Sequence, residues 1–212
     1  MCSGRIDLAH VLRAFSKGAD GVFIGACHLN ECNYITHGNY HALTMVNLSK
    51  KIMERLGLNP ERLRIQFMSG AEASLFVESV NDFVKKVKEL GPLGKGEGLD
   101  KNTLKAKLEA ATQLIPYVRL VERERLRLSF KSEEECSAFF AGDEFRRLFN
   151  ELIVDKLTIG QITSLLRGRP LSTGKIAEIL GLTPSEVSRH MNTSSRHGLV
   201  RYDVGQKCYA LA

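Results

Sequence analysis

The sequence predicts an α/β chain: a partial parallel sheet at the N-terminal end, a helical connector, and a C-terminal helix-turn-helix closed by a wing. Three observations predict it. Apolar runs at helical spacing alternate with short β-branched runs over residues 7–90, as in strands joined by crossover helices. A glycine-rich stretch at 91–98 breaks that pattern. From about Leu157, capped helices follow one another and end in two short runs around Gly205. The expected units are residues 1–92, 93–154 and 155–212.

The first element is a helix from about Asp7 to Lys17, because Leu8, Val11, Leu12 and Phe15 fall at i, i+3, i+4 and i+7. Gly18-Ala19-Asp20-Gly21 ends it and leads into a buried strand, Val22-Phe23-Ile24-Gly25-Ala26. After a cysteine-bearing loop, Met45, Leu48, Ile52 and Leu56 mark a second helix that stops near Gly57. Asn59-Pro60 turns the chain into a second strand, Leu63-Arg64-Ile65-Gln66-Phe67. Ser69-Gly70-Ala71-Glu72 has capping-box spacing and opens a helix with Phe76, Val80, Phe83, Val84 and Val87 on one side. Two strands are too few for a parallel sheet, which needs neighbours on its edges and cover on both faces. The class expected is therefore a partial flavodoxin-like sheet, with a further N-terminal strand expected ahead of Met1.

Residues 91–98 read as a linker, since no Gly-Lys-Ser/Thr triplet opens a helix there as a phosphate loop requires. Gly18, Gly21 and Gly25 are not a dinucleotide fingerprint either, because they do not follow the strand. In the connector, Leu104, Leu108, Ala111 and Ile115 predict a helix stopping near Pro116. Leu126, Leu128 and Phe130 alternate as a short strand would, and Ser132-Glu133-Glu134-Glu135 repeats the capping box. The acidic run complements a helix dipole. Cys136, within that helix, reads as packing.

Beyond Leu157, a helix through Ile159, Ile162 and Leu166 ends at Gly168-Arg169-Pro170. Ser172 or Thr173 caps a short helix holding Ile176, Ala177, Ile179 and Leu180, and Gly181-Leu182 makes the turn. Thr183-Pro184-Ser185-Glu186 starts the next helix with a capping box and proline at its first position. Residues 199–202 and 207–211 then form a hairpin. This is the layout of a winged helix-turn-helix, and Ile176-Ala177-Glu178-Ile179-Leu180-Gly181-Leu182 through Val187-Ser188-Arg189-His190 resembles small bacterial and archaeal regulators. Val187 and Met191 face inward, while Ser185, Arg189, Asn192 and Arg196 share the outer face. Arg reads guanine edges and Asn adenine, and Arg201 and Lys207 on the wing suit phosphates. These six are the candidate DNA contacts; a protein-adaptor role is the alternative. His190 and His197 read as helix-surface residues, and Cys208 as structural.

Composition bounds the function classes. The chain has 212 residues, 43% hydrophobic and 25% charged, ordinary values for a folded globular protein. No apolar run approaches the roughly 18 residues of a membrane span, and the first residues lack the apolar core of a signal peptide. Five cysteines are an odd number, so a reduced, cytoplasmic protein is expected. Of the net charge of +6, most lies at the C-terminal end, where residues 161–212 hold seven Lys or Arg against three Asp or Glu. Any nucleic-acid contact is expected there.

Cys2, Cys27 and Cys32 carry the chemistry. Cys27 closes the first strand, Cys32 ends the loop Cys27-His28-Leu29-Asn30-Glu31-Cys32, and Cys2 precedes the first helix. Ligands collect beyond the carboxyl ends of strands in α/β domains, and thiolates gathered there suit a soft metal or an iron–sulfur cluster. Packing as small hydrophobes is the plainer alternative. A zinc module using Cys2, Cys27, His28 and Cys32 is compatible with ligand chemistry but lacks the Cys-x2-Cys spacing.

The strings Met1-Cys2-Ser3-Gly4-Arg5, Gly18-Ala19-Asp20-Gly21-Val22, Gly25-Ala26-Cys27-His28-Leu29-Asn30-Glu31-Cys32-Asn33-Tyr34, Gly38-Asn39-Tyr40 and Leu56-Gly57-Leu58-Asn59-Pro60-Glu61-Arg62-Leu63 resemble the delta subunit of methyl-viologen-reducing hydrogenase. The resemblance covers about residues 1–92. It implies a [2Fe–2S] cluster, metal ligands at Cys2, Cys27 and Cys32, and hydrogenase and heterodisulfide reductase-like subunits as partners. The chain would be a non-catalytic electron-transfer subunit of an oxidoreductase complex. The family carries a further Cys-Cys-x-x-Cys motif upstream of its Cys-Ser-Gly-Arg string, and this sequence does not. The ligand set is therefore expected to be incomplete, since His28 as a nitrogen substitute is awkwardly placed beside Cys27, and the reading frame is expected to continue upstream of Met1. The rival expectation is a redox- or metal-responsive winged-helix transcription regulator, its thiols sensing oxidation and its winged helix reading DNA.

Overall fold

A computed structural model describes residues 2–34, 38–126 and 128–212. The chain is α/β but mostly helical. Helix α1 (Leu8–Ser16) is opened by a capping box in which the Asp7 carboxylate accepts from Ala9 N–H at 2.7 Å and Asp7 N–H donates to His10 at 3.2 Å. Strand β1 (Val22–Ala26) leads through the cysteine loop to α2 (Asn39–Leu56), and β2 (Leu63–Phe67) then pairs with β1 in parallel, Val22 opposite Leu63 and Ala26 opposite Phe67. Helix α3 (Ala73–Leu90) follows. Glu72, not Ser69, stands at its N-cap: the Glu72 carboxylate accepts Ser69 N–H at 2.7 Å, but no side chain caps the helix. Only the returning half of the expected box is made.

The apolar stripe of α3 is divided. Phe83 is buried and packs on Phe23, ring centroids 5.6 Å apart, whereas Phe76, Val77 and Val84 stand in solvent. Two parallel strands give the helix too small a sheet to lie on.

The glycine-rich stretch is folded onto a buried arginine. Arg62 has no exposed surface. Its guanidinium donates to the carbonyls of Asp20, Leu90 and Gly91, and its Nε lies 2.5 Å from Glu97. Glu97 also accepts from Asn59 N–H and Gly94 N–H. A Cβ at Gly96 would sit 2.0 Å from the Leu90 carbonyl oxygen, so only glycine fits against this clamp.

Helix α4 (Lys101–Val121) runs through Pro116 instead of stopping there. Pro inside a helix is unfavourable by about 3 kcal/mol, but continuing buries Val118 and Val121. A π-helical turn (Glu122–Leu126) comes next, so Leu126, Leu128 and Phe130 form no strand. Leu126 and Phe130 are buried and Leu128 is exposed; Arg127 lies outside the described residues. Helices α5 (Glu133–Ala141) and α6 (Asp143–Phe149) bring Phe139, Phe140, Phe145 and Phe149 together with Phe130 in a cluster of mostly tilted rings. Ser132 caps α5 as expected. The first core therefore runs from Leu8 to Leu157, with side chains of 93–154 completing it.

Helices α7 (Asp155–Gly168), α8 (Thr173–Leu180) and α9 (Pro184–Arg196) and the antiparallel pair β3 (Val200–Asp203) and β4 (Cys208–Leu211) make the winged helix. Ser172 caps α8, Gly181 ends it with positive φ, and Thr183 and Glu186 close a full capping box. Leu171 bridges to Tyr209, tying the start of α8 to the wing. This unit has its own core of Ile162, Leu166, Leu171, Ile176, Ala177, Val187, Met191 and Val200. Leu180 is only half-buried beside it. Among the described residues no helix is long and apolar enough to cross a membrane.

Candidate functional site

The thiol site is assembled at the carboxyl ends of the two parallel strands. Cys27 follows β1 directly and is exposed. A turn closed by Glu31 N–H to the His28 carbonyl, with Asn30 in the left-handed region, sends the chain to Cys32. Cys2 caps the 3-10 turn Ser3–Arg5 through Gly4 N–H, 3.3 Å from its sulfur. The sulfurs of Cys2 and Cys32 stand 3.9 Å apart, though thirty residues separate them in sequence.

Two residues shape this meeting. Gly38 precedes α2, and a Cβ there would fall 2.2 Å from the Cys32 sulfur. Its absence lets the sulfur reach the helix N-terminus. Asn39 is buried and donates its amide to the carbonyls of Cys27 (3.0 Å) and His28 (2.6 Å), with the Cys27 sulfur 3.7 Å away. Neither residue was singled out as functional from sequence. The available signal was their place in Gly38-Asn39-Tyr40, one of the resembling strings, just after the cysteine loop.

Electrostatics separate the thiols. Burial and then the neighbouring thiols of Cys32 and Cys2 raise the Cys27 pKa. Burial also opposes ionisation of Cys32, but the N–H groups of Tyr34 and Asn39 and the two other thiols outweigh it, so its pKa is lowered. Such donors are what a thiolate ligand requires. The Ser3 hydroxyl, next to Cys2, is buried without a hydrogen-bond partner among the described residues.

Three thiols converge, and a [2Fe–2S] cluster takes four protein ligands. Among the described residues no group of three or more His, Cys, Asp or Glu has the geometry to hold a metal ion. His28 does not complete the set. Its Nε2 lies 2.6 Å from Glu72, a carboxyl held down to about 2 by Ser69 N–H and then by His28. A cleft of about 450 Å³ opens beside Cys27, lined by Met68, Ser69, Glu72 and Phe76. Cys136 stands apart in the first core, fully buried and with its thiol pushed up to about 11 by burial. Cys208 lies half-buried in the wing.

On the winged helix, Val187 and Met191 are buried and Ser185, Arg189, Asn192 and Arg196 are exposed on the opposite side of α9, as the periodicity requires. Arg201 on β3 and Lys207 in the wing turn are exposed too. Arg189 has an acidic neighbour, Asp155, 3.4 Å away. His190 is buried, not a surface residue: it packs beneath Asp155, and burial lowers its pKa.

Residues 1–91 match the family model of the methyl-viologen-reducing hydrogenase delta chain, and residues 160–202 match that of bacterial regulatory proteins of the arsR family. The iron-sulfur subunit of the vhu F420-non-reducing hydrogenase of Methanopyrus kandleri is 45% identical over 92 residues, 43% of this chain and 69% of that protein. The iron-sulfur subunit of the F420-non-reducing hydrogenase of Archaeoglobus profundus is 42% identical over 91 residues, 43% of this chain and 66% of that protein. One subunit of the ferredoxin/F420H2-dependent CoB-CoM heterodisulfide reductase of Methanosarcina acetivorans is 43% identical over 94 residues, 44% of this chain. The chain spans only 12% of that reductase protein's length.

Proposed function

The chain belongs to the methyl-viologen-reducing hydrogenase delta-subunit family, and we propose that it is an electron-transfer subunit of a cytoplasmic oxidoreductase complex. Its partners would be a hydrogenase or comparable donor and a heterodisulfide reductase-type flavoprotein. The observation that carries this reading is the convergence of Cys2, Cys27 and Cys32 within the matched region. In it, the three thiolates hold a [2Fe–2S] cluster and the fourth ligand comes from outside this set. A bound cluster supplies one-electron transfer. The chain's own residues do the rest: Gly38 leaves room for the Cys32 sulfur, Asn39 fixes the Cys27 loop, and the N–H groups of Gly4 and Tyr34 stabilise charge on sulfur. The parallel pair β1–β2 with α2 between them supports a partial flavodoxin-like sheet, and the two separate cores support 155–212 as a unit distinct from the rest.

Anaerobic incubation with ferrous iron and sulfide, with and without an added monothiol as fourth ligand, tests the reading. The expected outcome is a visible absorption band and an EPR signal on reduction, strengthened by the monothiol and abolished in Cys32→Ser. Iron retained in neither condition would overturn it.

A second reading concerns the winged helix. Ser185, Arg189, Asn192, Arg196, Arg201 and Lys207 are exposed together on α9 and the wing, which supports DNA binding. Affinity should then fall steeply with salt, and Lys207→Ala should reduce the slope of log K against log salt by about 1. A salt-independent affinity, or none at low salt, would exclude it.

A further inference from the structure

The three thiols are not equivalent in how they are held. Cys2 and Cys32 face each other, sulfur to sulfur at 3.9 Å; the Cys2 sulfur accepts Gly4 N–H and the Cys32 sulfur accepts Tyr34 N–H. Cys27 belongs to a different arrangement: the Asn39 amide lies against its sulfur and clamps the carbonyls on either side of the Cys27–His28 peptide. A disulfide needs sulfurs about 2 Å apart. The Cys2 and Cys32 sulfurs already face each other at 3.9 Å, whereas the Cys27 sulfur has the Asn39 amide against it at 3.7 Å and its loop is held by that amide.

We propose that the metal-free chain forms an intramolecular disulfide between Cys2 and Cys32, leaving Cys27 as a free thiol, and that this bond blocks loading of the site. The oxidant is a peroxide. One thiolate of the pair attacks a peroxide oxygen and becomes a sulfenic acid, and water leaves after proton transfer. The second thiol then attacks that sulfur, the S–S bond forms, the S–O bond breaks, and a second water departs. The two cysteines lose two electrons and two protons, and one peroxide is reduced to two waters. A dithiol reverses the reaction by exchange. The consequence for loading rests on the electron-transfer reading above; the bond itself does not.

The test uses the full chain, reduced, stripped with a chelator and treated anaerobically with one equivalent of hydrogen peroxide. Peptide mapping without reductant should find the Cys2 and Cys32 peptides joined, with the loss of two hydrogens, and Cys27 open to alkylation. Cys27→Ser should keep the link, while Cys2→Ser and Cys32→Ser should lose it. Iron affinity of the oxidised chain should fall by more than about 100-fold, beyond what loss of an outer-shell partner produces, and return with dithiothreitol. A dominant link to Cys27, or only intermolecular links, overturns the disulfide whether or not the reduced chain binds iron. A Cys2–Cys32 link in a chain that takes up iron in neither state upholds the disulfide and defeats the electron-transfer reading instead.

Discussion

Asn39 directs its side-chain amide onto two carbonyls of the loop that carries Cys27. Asn39→Ala removes both bonds; the His28 carbonyl keeps Glu31 N–H, while the Cys27 carbonyl loses its side-chain donor, and the loss is destabilising by about 0.5–1.5 kcal/mol. Urea unfolding should register that loss, and alkylation of Cys27 should accelerate as its loop comes free; an unchanged midpoint would show the clamp to be idle. Glu72 makes a prediction about acid. Its pKa in the folded chain, about 2, lies below the ordinary 4.5 because Ser69 N–H and His28 favour the carboxylate. Its contribution to stability is therefore complete above about pH 4.5 and disappears as the pH falls towards 2. Glu72→Gln should flatten the dependence of the urea midpoint over that interval, and identical slopes in the two proteins would refute the assignment. The cysteines and their loop were legible in the sequence, because a loop after a strand is where ligands collect. Their gathering was expected too, but not which two would meet: the Cys2 and Cys32 sulfurs stand 3.9 Å apart across thirty residues of chain. Gly38 and Asn39 stood in one of the resembling strings, but their roles did not show there, because those roles lie in the space one omits and the carbonyls the other reaches.

Secondary structure was legible where periodicity and capping agree. Both parallel strands, α2 with its Gly57 stop, and every element of the winged helix lie where the pattern puts them. The departures have physical causes. Pro116 lies inside α4 because apolar residues beyond it enter the core, and tertiary burial overrides local propensity. Ser69 does not cap α3 because the helix begins later, with Glu72 at the N-cap, and the Ser69 side chain bonds the Glu72 carboxylate instead of a helix N–H. Leu180 fits the apolar spacing of α8 but lies at the margin, while Ile176 is fully buried. Ile176→Ala should therefore cost about 2–5 kcal/mol, and Leu180→Ala clearly less. Thermal unfolding of the two variants of residues 155–212 checks the order, and equal losses would contradict it.

At the scale of the whole molecule, two cores decide how the chain can be divided. The winged helix closes around its own apolar residues, so residues 155–212 should melt cooperatively when produced alone; a gradual, featureless melt would count against that. The first core draws on α1, α2, the connector helices and the aromatic stack together, and no glycine-rich boundary in the sequence announces this. Arg62 was equally hard to read, because an arginine beside Pro60 and Glu61 looks like any surface charge.

That arginine has a practical consequence for anyone cutting the gene. The region matched by the hydrogenase family ends at residue 91, and a stop codon after residue 92 is the obvious way to isolate it. Such a cut removes Glu97, the carboxylate paired with a guanidinium that has no exposed surface. A buried charge stripped of its partner is destabilising by about 3–5 kcal/mol, a large fraction of what a domain of this size has in reserve. Residues 1–92 should accumulate as insoluble protein, and residues 1–154 should be recovered in the supernatant. Equal solubility of the two would mean that the glycine-rich stretch is the loose tether its composition suggests.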